Sequence, residues 1–203
     1  MPMFEDDRKQ IFYRSKGQGP LLMILPGNTA SSACHQEDLA YFSDQFTAVS
    51  MDYLGTGQSD RLESFGEQWL QNCADQAATL IRHLSLGPAI LLGTSGGAVV
   101  ALHTAARHPN LIQGIIADSF TPAFTEEMLL HNVIEERSIR SEGQINFWRF
   151  AHGEDWEQVI NADTAMLKQI TQKGGNWLGD SLLKAECPIF FTASLEDEML
   201  HQP

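Results

Sequence analysis

The stretch AILLGTSGGAVVALHTAA, residues 89–106, decides the fold. Its apolar run Ala89 to Leu92 reads as a short buried strand, Gly93 to Gly97 as a sharp turn, and Ala98 to Ala106 as a helix of small apolar residues. A serine hydroxyl is a weak nucleophile unless it is held exposed beside a base. A tight strand-to-helix turn flanked by glycines lets the two elements approach closely while pushing Oγ outward. A bare G-x-S-x-G is common in loops, but the strand before it and the helix after it are the context the motif requires. Ser95 is therefore the candidate nucleophile, and Thr94 beside it a candidate substrate contact.

Upstream, the apolar run Leu21 to Leu25 ends in Pro26, Gly27 and Asn28 and reads as a buried strand opening into a loop. Attack on a carbonyl puts negative charge on its oxygen, and two backbone N–H groups aimed at that position stabilise it. Gly96 follows the serine and offers one; Asn28 offers the other. Gly27 lets the chain turn there with no side chain in the way, next to the substrate.

A third stretch, Ala48 to Met51 followed by Asp52, Tyr53, Leu54, Gly55, Thr56, Gly57, Gln58, Ser59, Asp60 and Arg61, completes the set. It resembles the D-x-x-G-x-G-x-S-D/R loop of the α/β-hydrolase superfamily, and the three motifs stand in the order that family has. The resemblance runs from about Ile11 to about Asp197 and implies an α/β fold, a mainly parallel sheet with helices on both faces. Pro26 and Gly27 stand where many members carry His-Gly; Pro-Gly is also found among relatives of valacyclovir hydrolase. Ser95 sets the chain apart from members with an aspartate at the elbow, the dehalogenases and epoxide hydrolases.

Composition fits a soluble enzyme: 203 residues, 43% hydrophobic and 19% charged, with no run long enough to cross a bilayer. The start, Met1 to Gln10, mixes acids and bases and lacks the apolar segment of a signal peptide, so the expected location is the cytosol. A net charge of −13 argues against nucleic acid or an anionic membrane as partner. Cys34, Cys73 and Cys187 are widely and irregularly spaced, which suits reduced thiols. No histidine pair falls at a metal-ligand spacing with a carboxylate, so neither metal nor other cofactor is expected.

Strands are expected near Ile11–Arg14, Leu21–Leu25, Ala48–Met51, Ala89–Leu92, Ile112–Ala117 and Pro188–Thr192, with helices near Gln36–Asp44, Glu67–Leu84 and Ala98–Arg107. Between 119 and 183 the sequence turns helical, polar and aromatic, with Phe120, Phe124, Phe147, Trp148, Phe150, Trp156 and Trp177. In the resembled family this interval forms a helical cap, so residues 1–118 and 184–203 would form the core and 119–183 the cap. Phe120, first into the cap, is a candidate substrate contact. The cap aromatics divide between pocket walls and a small satellite core.

The resemblance places the triad acid after the last expected strand, where Asp197 is the leading candidate; Glu196 beside it and Asp118 at the end of Ile112–Ala117 are the rivals. The base should follow one strand later, yet the sequence stops at Pro203 and His201 is the one histidine after Asp197. The family's eighth strand, histidine loop and final helix are missing, leaving an α/β-hydrolase fold truncated at its C-terminus. His83, His103, His108, His131 and His152 read as surface or capping residues, and His35 as a residue near the pocket rim. A sheet edge bared by the truncation would invite a second copy or a partner chain. Three explanations stand open: a fragment, which we favour, a naturally shortened relative, or a fold completed by another subunit.

The expected activity is hydrolysis of a small ester, amide or related carbonyl compound through an acyl-enzyme. The alternatives are a non-catalytic binding relative and an aminopeptidase or C–C hydrolase on the same scaffold.

Overall fold

Seven strands form one sheet in the computed structural model, which describes residues 2–194: β1 (Met3–Asp6), β2 (Lys9–Lys16), β3 (Leu21–Leu25), β4 (Thr47–Met51), β5 (Ala89–Thr94), β6 (Ile112–Asp118) and β7 (Ile189–Thr192). Their order across the sheet is β1-β2-β4-β3-β5-β6-β7, with β1/β2 and β2/β4 antiparallel and every later pair parallel. The expected α/β architecture and all six expected strands are present, and β1 is an addition. It was hidden because only Phe4 of its four residues is buried, and because its turn, Asp7-Arg8, takes two positive φ angles (46° and 65°) without a glycine to announce it.

Side-chain alternation sorts the sheet into two faces. Leu21, Met23 and Leu25 of β3 join the main core under α2 (Trp69–Leu84) and α3 (Gly96–Arg107), while Leu22 and Ile24 pack against Leu39 and Phe42 of α1 (Gln36–Phe42). All five β3 residues are buried, as a central parallel strand requires. In α2 the buried residues Leu70, Cys73, Ala74, Ala77, Leu80 and Ile81 recur at helical spacing. The helix stops at Ser85, whose left-handed conformation (φ 53°) lets its N–H close on the Ile81 and Arg82 carbonyls.

The glycines of the opening stretch fix how near α3 comes to the sheet. A Cβ on Gly97 would sit 2.1 Å from the Leu25 carbonyl oxygen, and one on Gly93 would sit 2.2 Å from that of Gly97. Helix and strands meet backbone to backbone at this corner, which only glycine permits.

Between β6 and β7 lies a helical layer: α4 (Glu126–Leu129), a π-helical turn (Leu130–Glu135), α5 (Glu136–Ile139), α6 (Glu142–His152), α7 (Trp156–Gln172) and α8 (Ser181–Lys184). A reciprocal capping box between Ser141 and Gln144 starts α6. The aromatics divide by contact. Trp148 and Trp156 stack at 5.2 Å in a small core with Ile160, Phe124 and Trp177 join the main core, and Phe147 and Phe150 stay exposed.

Candidate active site

Strand β5 delivers Ser95 and α3 carries the chain away. Ser95 has φ 56° and ψ −124°, a conformation costly for a non-glycine residue and tolerated because both sides are tied. Its N–H donates to the Asp118 carbonyl at 2.9 Å, and its own carbonyl accepts from the Ala98 N–H at 2.9 Å. The residue opens into a cavity of about 400 Å³ lined by Asn28 and Thr29 from the loop after β3 and, from the helical layer, by Phe124, Asn132, Arg137, Phe147, Trp148, Leu167 and Trp177.

Beside the serine, Gly96 begins α3, where backbone N–H groups lack intrahelical acceptors. Among the described residues no protein group accepts a hydrogen bond from the backbone N–H of Gly96 or of Asn28. The Asn28 side chain lies against Gly96, because a Cβ added there would fall 2.2 Å from Asn28 Oδ1. Its Nδ2 donates to Asp163 Oδ1 at 2.6 Å. Asp163 is 1% exposed, and its second oxygen lies 2.8 Å from an Arg137 guanidinium nitrogen, an ion pair without full hydrogen-bond alignment.

The glycine-rich loop supports this floor. Asp52 is buried and accepts the N–H groups of Ser32 and Gln58, both at 2.7 Å; burial raises its carboxyl pKa against the pull of those bonds. Gly57 (φ 50°) packs so closely that a Cβ would come within 2.0 Å of Asp52 Oδ2. The Gly57 N–H donates to His152 Nδ1 at 3.1 Å, which leaves His152 Nε2 protonated to donate to the Thr29 carbonyl at 3.0 Å. Burial lowers the His152 pKa to about 4, so the ring is neutral at pH 7. Arg61 clasps Asp155 with two nitrogens at 2.6 and 2.7 Å and also donates to the carbonyls of Gly57 and His152.

Ser95 and Asn28 line the cavity, and Gly96 adjoins it. Gly27 and Thr94 lie behind this wall, packed so that a Cβ on Gly27 would meet the Thr94 carbonyl oxygen at 2.9 Å. Phe120 does not line it; its ring pairs with Phe191 at 5.8 Å, because the chain leaves β6 toward β7 before it turns over the cavity. Asp118 is bound at its carboxylate by the Thr192 hydroxyl at 2.6 Å. Glu196, Asp197 and His201 lie outside the described residues. No histidine among the described residues lines the cavity.

Two of the five histidines read as surface or capping residues are buried. His103 sits between the Trp177 carbonyl and the Ser181 hydroxyl, and His152 between Gly57 and Thr29, because each ring finds a partner for both nitrogens. His35 pairs through Nδ1 with Asp38 and is not among the residues that line the cavity.

Asp163 and Arg137 were missed by sequence reasoning. A signal existed: Val159, Ile160, Asp163, Met166, Leu167 and Ile170 form one buried stripe of α7, and a carboxylate in such a stripe needs a specific partner.

A strained serine between a parallel strand and a helix, on this strand order, defines the class. The chain belongs to the α/β hydrolase fold family, whose sequence model matches residues 20–134. It is similar to the 2-(acetamidomethylene)succinate hydrolase of Mesorhizobium japonicum, 40% identical over 116 residues, which make up 57% of this chain and 41% of that one. It is also similar to haloalkane dehalogenase 2 of Mycobacterium tuberculosis, 28% identical over 127 residues, 62% of this chain and 44% of the other. These matches span less than half the length of either relative. Among solved structures, an E-2-(acetamidomethylene)succinate hydrolase superposes with a TM-score of 0.70 at 23% identity, covering 94% of this chain and 78% of that one. At that identity the likeness speaks for the fold. Among the described residues no helix is long and apolar enough to cross a membrane.

Proposed function

We propose that this hydrolase-family chain acts by serine chemistry on a small ester or amide. The reading is carried by one observation: Ser95 stands at a strained strand-to-helix turn and opens into a cavity, with the uncommitted N–H groups of Gly96 and Asn28 beside it. Ser95 Oγ attacks the carbonyl carbon, its proton passing to a histidine that Asp197 orients. Within the 203 residues His201 is the one histidine after Asp197 and so the candidate for that place; in the fragment reading the histidine comes from the missing histidine loop. The two N–H groups hold the oxyanion, the leaving group departs with the proton, and water releases the acyl group from Ser95. The helical layer serves as the cap, covering the reacting carbonyl with a mixed wall in which Phe147, Trp148 and Trp177 stand beside Asn132 and Arg137.

An amide is the favoured member of this substrate class. Two similar proteins carry amide-substituted methylenesuccinates in their names, the second being the (E)-2-((N-methylformamido)methylene)succinate hydrolase of Acinetobacter baylyi, 30% identical over 101 residues, 50% of this chain and 38% of that one. A serine at the elbow argues against the dehalogenase chemistry named for other relatives.

A second reading, a binding protein that keeps the cavity without turnover, is favoured by the lack of a cavity-lining histidine among the described residues. Fluorophosphonate labelling and p-nitrophenyl acetate hydrolysis separate the two. The catalytic reading expects one label per chain on Ser95, and loss of both label and turnover in Ser95→Ala. Equal inertness of wild type and variant supports the binding reading.

A further inference from the structure

The loop after β3 is held largely from above. Asn28 Nδ2 donates to Asp163, the Thr29 carbonyl accepts from His152, and Ser31 Oγ donates to the Ala151 carbonyl at 2.7 Å, so three of four successive residues are bonded to the helical layer. The loop needs such hold, since Thr29 is β-branched and sits at φ 61°, a conformation it would leave if released. Of the three bonds, only that at Asn28 involves a charged acceptor and a side chain inside the cavity.

We propose that Asp163, kept in place by Arg137, is a positioning residue for the oxyanion site: it clamps the Asn28 amide against Gly96 and so sets where the Asn28 backbone N–H points. The proposal rests on the reading of that N–H as an oxyanion donor. Asp163 Oδ1 accepts from Asn28 Nδ2, so Asp163 fixes the orientation of the Asn28 amide, Nδ2 toward itself and Oδ1 toward Gly96. Arg137 compensates the buried charge, and its other terminal nitrogen donates to Thr164 Oγ1 at 2.6 Å, anchoring the guanidinium to the same helix. Arg137 also lines the cavity, so a bound substrate touches the group that holds the clamp. The helical layer thereby belongs to the transition-state machinery as well as to the walls.

The test uses Asn28→Ala, which keeps the backbone N–H and removes the clamp, the double variant Arg137→Met/Asp163→Leu, which removes the charged pair together, and Asp163→Asn, which keeps an acceptor for Asn28. With kcat expressed per fluorophosphonate-titrated serine, the first two are expected to lose about ten- to a hundred-fold in kcat with KM within about twofold. Asp163→Asn should recover at least half of that loss on a logarithmic scale. A role confined to stability would lower the titratable fraction and leave kcat per titrated serine unchanged, and that result in Asn28→Ala overturns the proposal even if the double variant does not fold. If wild type neither labels nor turns over, the functional reading fails separately. Placement is then read from the ¹H–¹⁵N amide signals of Gly96 and residue 28 and its neighbours, which should move in Arg137→Met/Asp163→Leu and return in Asp163→Asn; unmoved signals overturn the proposal.

Discussion

The cavity has two walls built by different physics. On the core side, Leu25, Gly93, Gly97 and Ser95 meet through backbone contact, with buried apolar residues behind them and no charge at the seam. On the helical side, Arg61, His152, Asp163 and Ser31 make polar bonds between residues 91 to 135 positions apart, several of them charged. A seam of excluded volume answers to shape and is indifferent to pH and salt. One of polar groups answers to protonation and, where its charges reach solvent as Arg61 and Asp155 do, to screening.

The largest effect expected from breaking this contrast is on the core wall. Gly97→Ala places a Cβ 2.1 Å from the Leu25 oxygen, against backbone that cannot yield. We expect a loss of about 3 kcal/mol, or a Tm lower by roughly 6–12 °C, the same at pH 5 and pH 8.

The next tests the helical wall. The His152 pKa falls from 6.5 to about 4 on folding, chiefly through burial, so the unfolded chain binds the extra proton first as pH drops. The stability tied to the neutral ring is complete above pH 6.5 and is lost as pH falls toward 4. At pH 5 this is about 2 kcal/mol relative to pH 8, and urea unfolding of wild type against His152→Gln isolates it as the part of the pH slope that the variant lacks.

Smaller still is Arg61→Ala. It removes a bidentate contact to Asp155 and bonds to three carbonyls, at a partly exposed site. A loss of about 1.5 kcal/mol is expected, shrinking in 1 M salt, where the Gly97 effect should not change. Least affected is Glu154→Gln at the outer rim, whose 3.8 Å contact with Arg149 is between exposed groups; a melt should move by less than about 1 °C.

The same contrast explains what could be read from the sequence. The core wall is written locally: strand, glycine turn and helix follow one another within residues 89–107, and the loops after β3 and β4 carry their own glycines. Ser95, Gly96 and Asn28, the candidates the sequence offers, all lie within these locally written stretches. The helical wall is written in long-range pairs of ordinary polar residues, which periodicity does not connect, so the sequence does not single out Arg137 and Asp163 and reads His152 only as a surface or capping residue. The pairing of Phe120 with Phe191 of β7 is likewise a long-range contact that periodicity does not show. The π-helical turn at Leu130–Glu135 left no sequence signature, since wide turns differ from α-helix by one hydrogen-bond step and not by composition.

The distribution of the four tryptophans gives the two walls separate optical reporters. Trp69 stacks on Phe65 at 4.3 Å beneath the glycine-rich loop, while Trp148, Trp156 and Trp177 all lie between β6 and β7, and all four indoles are buried. Intrinsic emission is thus weighted three to one toward the helical layer, whereas far-ultraviolet ellipticity samples α2 and α3 as well. In mild acid, a red shift of emission that precedes the loss of ellipticity would mark the helices lifting while the sheet is still intact.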